Sequence, residues 1–335
     1  LYPHQWSWDA ALVAIGWAHL DPDRAVRELR SLLAGQWDTG MVPHIVFDLA
    51  VADGAYEPGP NAWQTARHAP PGTATSGICQ PPVHAVALAR IRAIAADRSP
   101  GDAASVDAAL GDLYEPLARW HRWLHTARDP NGTGLVTILH PWESGMDNSP
   151  RWDEPMRTVL AHLGDEPEPA KRPDLTHVVD PAQRPTNDQY RVFHHLVRRL
   201  IEVDYDQAEA LAHHPFRVED VWFSAILARA DEALAEVAEQ LGRPDEARTH
   251  RRDAARTRGA LDAAWSRDHE QCGETDHVTG RVLYVDTIAR FAPLLGGCDL
   301  DRAALLVQRL HGTSHTGTEG LRWPLPLTTA STGPA

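Results

Sequence analysis

The 335-residue sequence predicts an all-α fold, an (α/α)6 barrel built as a toroid of helical hairpins and incomplete at its C-terminal end. Three observations carry this. Apolar residues recur at three- and four-residue steps through most of the chain, no run alternates as a strand would, and helical stretches come in pairs joined by short turns and separated by long loops. The helices that can be read number roughly nine or ten, against the about twelve that such a barrel contains.

Taken in order, Ala10 to Leu20 reads as an apolar helix, and Asp21-Pro22-Asp23 supplies a cap and an early-turn proline for a second helix to about Ala34. Residues 35–75 are rich in Gly, Pro and aromatics, with Met41 to Phe47 the one plausible extended piece, and read as a long active-site loop. Thr75 to Pro82 leads into a helix from Val83 to Ala96 that is apolar on most sides and so belongs to an inner layer. Ala103 to Arg128 is amphipathic through Leu110, Leu113, Leu117, Trp120 and Leu124, and stops at Asp129-Pro130-Asn131-Gly132.

The stretch from His140 to Asp153 has no apolar periodicity and is neither helix nor strand. Residues 164–185 form a second long active-site loop, rich in Pro and charge. Helical patterns return over Thr186 to Asp204, Val218 to Leu241, Pro244 to Trp265, Asp286 to Leu295 and Asp299 to Leu310, and the tail from His311 to Ala335 is loop-like. The whole, residues 1–335, is expected to be one domain.

A formal net charge of -14 argues against nucleic acid and anionic lipid, which need concentrated Lys and Arg. Cys79, Cys272 and Cys298 are far apart, with neither disulfide nor zinc-ribbon spacing, which fits a reducing cytoplasm. No run is long and apolar enough for a membrane span and no signal peptide is visible, although the chain opens at Leu1 and any upstream segment lies outside view. Walker A, Gly-x-Ser-x-Gly and Gly-x-Gly-x-x-Gly patterns are missing, so no cofactor is expected. A homo-oligomer stays open.

Two metal-like patterns fail on their spacing. Asp129-x-Asn131-x-Thr133-Gly134 opens like a calcium loop but carries His140 where the bidentate Glu belongs. His121 and His125 sit four apart on a helix, with Arg122 where a metalloprotease has its Glu, and read as partly buried helix histidines.

What remains are loop clusters: Tyr2, Trp6, Trp8 and Asp9; Gln80; Trp142, Glu143, Asp147 and Asn148; Arg184 with Tyr190. Singly each has a bland reading, as core, cap or solvated charge. Together they supply stacking rings, an amide, carboxyls and a cation, the inventory of a site for a small anionic saccharide.

At these residues the sequence resembles the bacterial glucosylglycerate and mannosylglycerate hydrolases of glycoside hydrolase family 63. The resemblance rests on Tyr2-Pro3-His4-Gln5-Trp6-Ser7-Trp8-Asp9, Gly40-Met41-Val42-Pro43-His44, Thr75-Ser76-Gly77-Ile78-Cys79-Gln80-Pro81-Pro82 and His140-Pro141-Trp142-Glu143-Ser144-Gly145-Met146-Asp147-Asn148-Ser149-Pro150. It continues through Arg184-Pro185-Thr186 and Glu219-Asp220-Val221-Trp222-Phe223-Ser224, and so spans nearly the whole chain. It implies an (α/α)6 barrel and inverting hydrolysis of an α-glycosidic bond between a hexose and glycerate, with Asp147 as general acid. Burial beside rings and a neighbouring carboxylate such as Glu143 would keep that acid protonated.

The resemblance further implies that Trp6, Trp8, Asp9, Gln80 and Trp142, with Tyr2, hold the sugar, Trp142 as a shelf, while Arg184 and Tyr190 grip the glycerate carboxylate. The inverting base is expected beyond Ala335, and Glu274 and Glu319 match no motif for it. Other readings are a trehalase-like or oligosaccharide-trimming glycosidase, and a non-catalytic sugar-binding helical protein.

Overall fold

The computed structural model describes residues 3–52, 56–164, 172, 175 and 184–311. Most of these are helical. Local signals place the helix starts: Asp21 caps α2 (Pro22–Leu33) by accepting from the Arg24 amide at 2.9 Å, behind α1 (Ser7–Ala18). After the short α3 (Pro60–Trp63) comes α4 (His84–Arg98), separated from α5 (Pro100–Ala127) by Ser99, which is extended and accepts from the Asp102 amide. Such a cap contributes about 1 kcal/mol.

The remaining helices are α6 (Asp153–Ala161), α7 (Asn187–Glu202), α8 (Gln207–His213), α9 (Val221–Gln240), α10 (Pro244–Ala263), α11 (Ala292–Gly296) and α12 (Leu300–Leu310). Thr186 opens α7 with a full capping box to Gln189, satisfying two otherwise orphaned donors.

The packing makes two layers. Helices α1, α4, α9 and α11 lie side by side as one row, and α2, α5 and α10 stand behind it, each packed on its hairpin partner. The helix α9 is buried on almost every side, and its Ala225, Ala228, Ala230, Ala233, Ala235 and Ala238 let neighbouring helices approach closely from several directions.

Twelve α-helices occur among the described residues, more than the sequence patterns predict. The additional ones, α3, α6 and α8, are 4, 9 and 7 residues long, too short to show a period. Asp286 to Leu295 is not one helix but a 3-10 turn over Ile288–Phe291 followed by α11, with Pro293 in its first turn. The predicted helix from Val218 instead starts at Val221, because Val218 and Glu219 are drawn into a sheet.

Among the described residues eight strands of two or three residues also form: β1 (Gln5–Trp6), β2 (Ile45–Val46), β3 (Thr137–Ile138), β4 (Val218–Glu219), β5 (Trp265–Ser266), β6 (Gln271–Cys272), β7 (Glu274–Asp276) and β8 (Arg281–Leu283). They pair antiparallel as β1-β2, β5-β6 and β3-β4-β7-β8. No alternation could announce elements this short. Their role is to join loop ends. The β1-β2 pair ties the start of α1 to the loop after α2, and β3-β4 ties the approach to His140 to the approach to Asp220.

No helix among the described residues is long and apolar enough to cross a membrane.

Candidate active site

The first turn of α1 sets one wall. Its N-cap, Trp6, has no side-chain oxygen to offer, so the free amides of this turn need partners from elsewhere. The Ser7 amide donates to the His44 carbonyl at 2.9 Å, and the Trp8 amide donates to Gln80 Oε1 at 3.2 Å. Gln80 therefore lies against α1 with its oxygen committed to the helix, although 72 residues separate it from Trp8. Asp9 follows on the same turn, half-buried.

The second wall is the stretch from His140. It folds as two 3-10 turns, Pro141–Ser144 and Pro150–Trp152, with Asp147 between them. Gly145 ends the first at φ 70°, and a Cβ there would stand 2.5 Å from Trp8 Cζ2, so only glycine lets the loop close against that indole.

This closure brings Asp147 and Asp9 into electrostatic contact. Asp147 is an exposed residue by its surface, yet enough protein crowds its carboxyl to desolvate the charged form. Burial, and then the Asp9 charge, push it up to about 7, against the pull of its own backbone amide and of Arg184. Burial raises Asp9 as well. A carboxyl raised by burial and by a neighbouring carboxylate is a proton source near neutral pH.

Aromatic residues of these segments pack on one another. Trp142 packs against His140, Phe193 and His44 at centroid distances of 4.4, 5.1 and 6.3 Å, and Tyr190 continues the row at 5.8 Å from Phe193. Trp6 meets Tyr56 edge-on at 5.3 Å. The guanidinium of Arg172 lies 3.9 Å over the Tyr190 ring and donates to Asn187 and the Pro185 carbonyl, adding a cation near Arg184 that the sequence does not single out.

Three expectations need correcting. Glu143 is not in a position to touch a sugar. It is fully buried and accepts from Arg128 Nη1 and Nη2 at 2.7 Å each, from the Leu139 amide at 2.7 Å and from the Cys79 amide at 3.1 Å. Nor is it the carboxylate that tunes Asp147, since Asp9 does that. Trp142, read as a shelf, is 8 % exposed and leaves little of its ring open. Tyr2 lies outside the described residues, as does Glu319.

The metal-like patterns have other uses. The Asp129 oxygens accept from the Thr133 and Gly134 amides at 2.7 and 2.9 Å and face Arg256, an Asx turn with its lone pairs occupied. His121 and His125 both bond Asp231 of α9, at 2.6 and 2.8 Å. Among the described residues no group of three or more His, Cys, Asp or Glu is placed to hold a metal ion.

Comparisons of sequence and of fold with known proteins point to one family. The family model of the mannosylglycerate hydrolase MGH1-like glycoside hydrolase domain matches residues 2–333. A glucosylglycerate hydrolase of Mycolicibacterium hassiacum is 43% identical over 330 residues, covering 97% of this chain and 73% of the relative. A mannosylglycerate hydrolase of Rubrobacter radiotolerans is 40% identical over 329 residues, covering 97% and 72%.

The crystal structure of the GH63 mannosylglycerate hydrolase from Thermus thermophilus in complex with Tris and D-glycerate superposes with a TM-score of 0.84 at 38% identity. It covers 98% of this chain and 74% of that one. The same enzyme in complex with glucose gives 0.80 at 39% identity, with the same coverage. Matched in sequence over nearly its full length and in fold by solved structures, the chain belongs to the family of mannosylglycerate hydrolase MGH1-like glycoside hydrolases.

Proposed function

We propose that this chain belongs to an α-glycosidase of (α/α)6 type that hydrolyses glucosylglycerate, mannosylglycerate or both to hexose and glycerate, with inversion, and that it supplies the general acid. The observation that carries it is the Asp147–Asp9–Arg184 constellation: a carboxyl pushed up to about 7 on a loop that closes against the Trp8 indole of the first turn of α1. Below pH 7 Asp147 is mainly protonated and can give its proton to the glycosidic oxygen as the bond breaks.

Asp9 and Gln80 stand on the α1 side of the site, where they serve the sugar hydroxyls, with Trp6 and Trp8 toward the ring. Arg184, with Tyr190, is the grip for the glycerate carboxylate, since a guanidinium fork matches a carboxylate bidentately. Glu274 is not proposed as the water-activating base, because it is buried and bonded to Arg151.

The reading makes a demand that a trehalase-like site would not. Glucosylglycerate or mannosylglycerate should raise the melting temperature of the 335-residue chain, while neutral disaccharides should not. Arg184→Ala should weaken that binding about 10- to 100-fold, the worth of a hydrogen-bonded charge. Calorimetric titration checks it, and equal response to trehalose would overturn the glycerate assignment.

A further inference from the structure

Asp147 stands midway between two residues of opposite charge that the reaction does not need, Glu143 and Arg151, each four positions away. Both side chains are buried and each is the centre of a separate ion network. Before Asp147, Glu143 takes both Nη groups of Arg128 at 2.7 Å, the amides of Leu139 and Cys79 at 2.7 and 3.1 Å, and Cys79 Sγ at 3.4 Å. After it, Arg151 donates to Asp220 at 2.9 Å, to Glu274, to Ser149 Oγ at 3.3 Å and to Met146 Sδ at 3.8 Å, and lies 4.2 Å over the Trp152 ring.

These networks reach different parts of the fold. Through Cys79, Glu143 holds the strap whose next residue, Gln80, caps the helix turn that carries Asp9. Through Asp220 and Glu274, Arg151 fastens the far end of the loop to the N-cap of α9 and to β7. Trp152 Nε1 closes the span by donating to the Met146 carbonyl at 3.0 Å. An apolar core could give comparable stability, because buried ion pairs gain little over well-packed hydrocarbon. What charge-assisted, bidentate bonds add is direction.

We propose that Glu143 and Arg151, acting through Arg128 and through Asp220 with Glu274, are positioning residues that fix the Asp147 carboxyl at a set separation from Asp9. This rests on Asp147 being the acid of the proposed reaction. If either clamp loosens, the loop between the 3-10 turns can swing, the carboxyl gains water and Asp9 recedes. Both changes favour the charged form of Asp147.

The test is a titration that needs no turnover. In the full chain labelled at the Asp carboxyl carbons, the Asp147 signal is assigned by its loss in Asp147→Asn and followed with pH. Wild type is expected to titrate near 7. Glu143→Gln and Arg151→Lys are expected to lower the midpoint by about one unit or more, a tenfold change in the proton equilibrium. Arg128→Lys, which keeps the charge and loses the fork, should do the same if Glu143→Gln does not fold.

Asp231→Asn is the control, a variant in a buried ion cluster that does not touch the loop, and should leave the midpoint in place. Folded clamp variants with an unchanged midpoint overturn the proposal, as does a wild-type midpoint at the ordinary carboxylate value. Shifted midpoints in a chain that binds no glycerate glycoside would support the clamps and refute the function.

Discussion

Asp147 and Asp231 are the same residue type, one on an exposed loop and one fully buried, and their carboxyls are driven in opposite directions. Asp231, on α9 between α5 and α10, accepts from His121 Nδ1 and His125 Nε2 and is held down at about 2 despite its burial. Asp147 has Asp9 beside it, with Arg184 as a weaker opposing influence, and rises to about 7. Desolvation penalises the ionised form in both places. The difference lies in what the surroundings offer to the charge, and it separates a carboxylate that joins helices from one that can hand over a proton.

Breaking the clamp that supports Asp147 should have the largest effect. Arg128→Met leaves Glu143 charged in a site without solvent, and losing one partner of such a pair costs about 3–5 kcal/mol. Chemical denaturation should show this as a fall in midpoint at constant slope. A variant as stable as the parent would mean that Glu143 takes up a proton at little cost, which contradicts the held-down carboxylate seen here.

Asp231→Asn should come next. A carboxylate depressed in the fold stabilises it above its unfolded pKa, and that stability is lost as pH falls through the folded value. The pair of values, 3.8 and about 2, therefore predicts a loss of roughly 2–3 kcal/mol at pH 7 that vanishes near pH 2. Stability curves for parent and variant that run parallel from pH 7 to pH 2 would remove the ion-pair account of this cluster.

The smallest effect, with the opposite sign, belongs to Asp147→Asn. Here the folded value lies above the unfolded one, so the group is neutral to stability below about pH 4 and costs stability as pH rises through 7. The variant should be more stable than the parent at pH 8, on the order of 1 kcal/mol once the solvent that meets this carboxyl is allowed for, and equal to it at pH 4. Thermal melts at the two pH values decide, and a destabilised variant at pH 8 would contradict the strained acid.

Much of this could be read before any coordinates. Asp21, Thr186 and Pro244 mark helix starts because capping is a matter of three or four neighbouring residues. The leucine stripe of α5 is visible for the same reason. The roles of Glu143 and Arg151 could not be read. Their partners lie 15, 69 and 123 residues away, and nothing in a local pattern pairs an arginine at the end of one helix with a glutamate in a distant turn. Nor does any signal short of folding show that Gln80 caps a helix 72 residues upstream.

By itself the sequence determined the helical class and the family and named the candidate site residues, since periodicity, caps and motif are properties of short stretches. Only the tertiary structure decided which carboxyl is the neighbour of Asp147. Glu143, four residues away, is locked to Arg128, while Asp9 arrives from the other end of the chain. Charge acts through distance and medium, and both are set when the strap, the loop and the first turn of α1 come together.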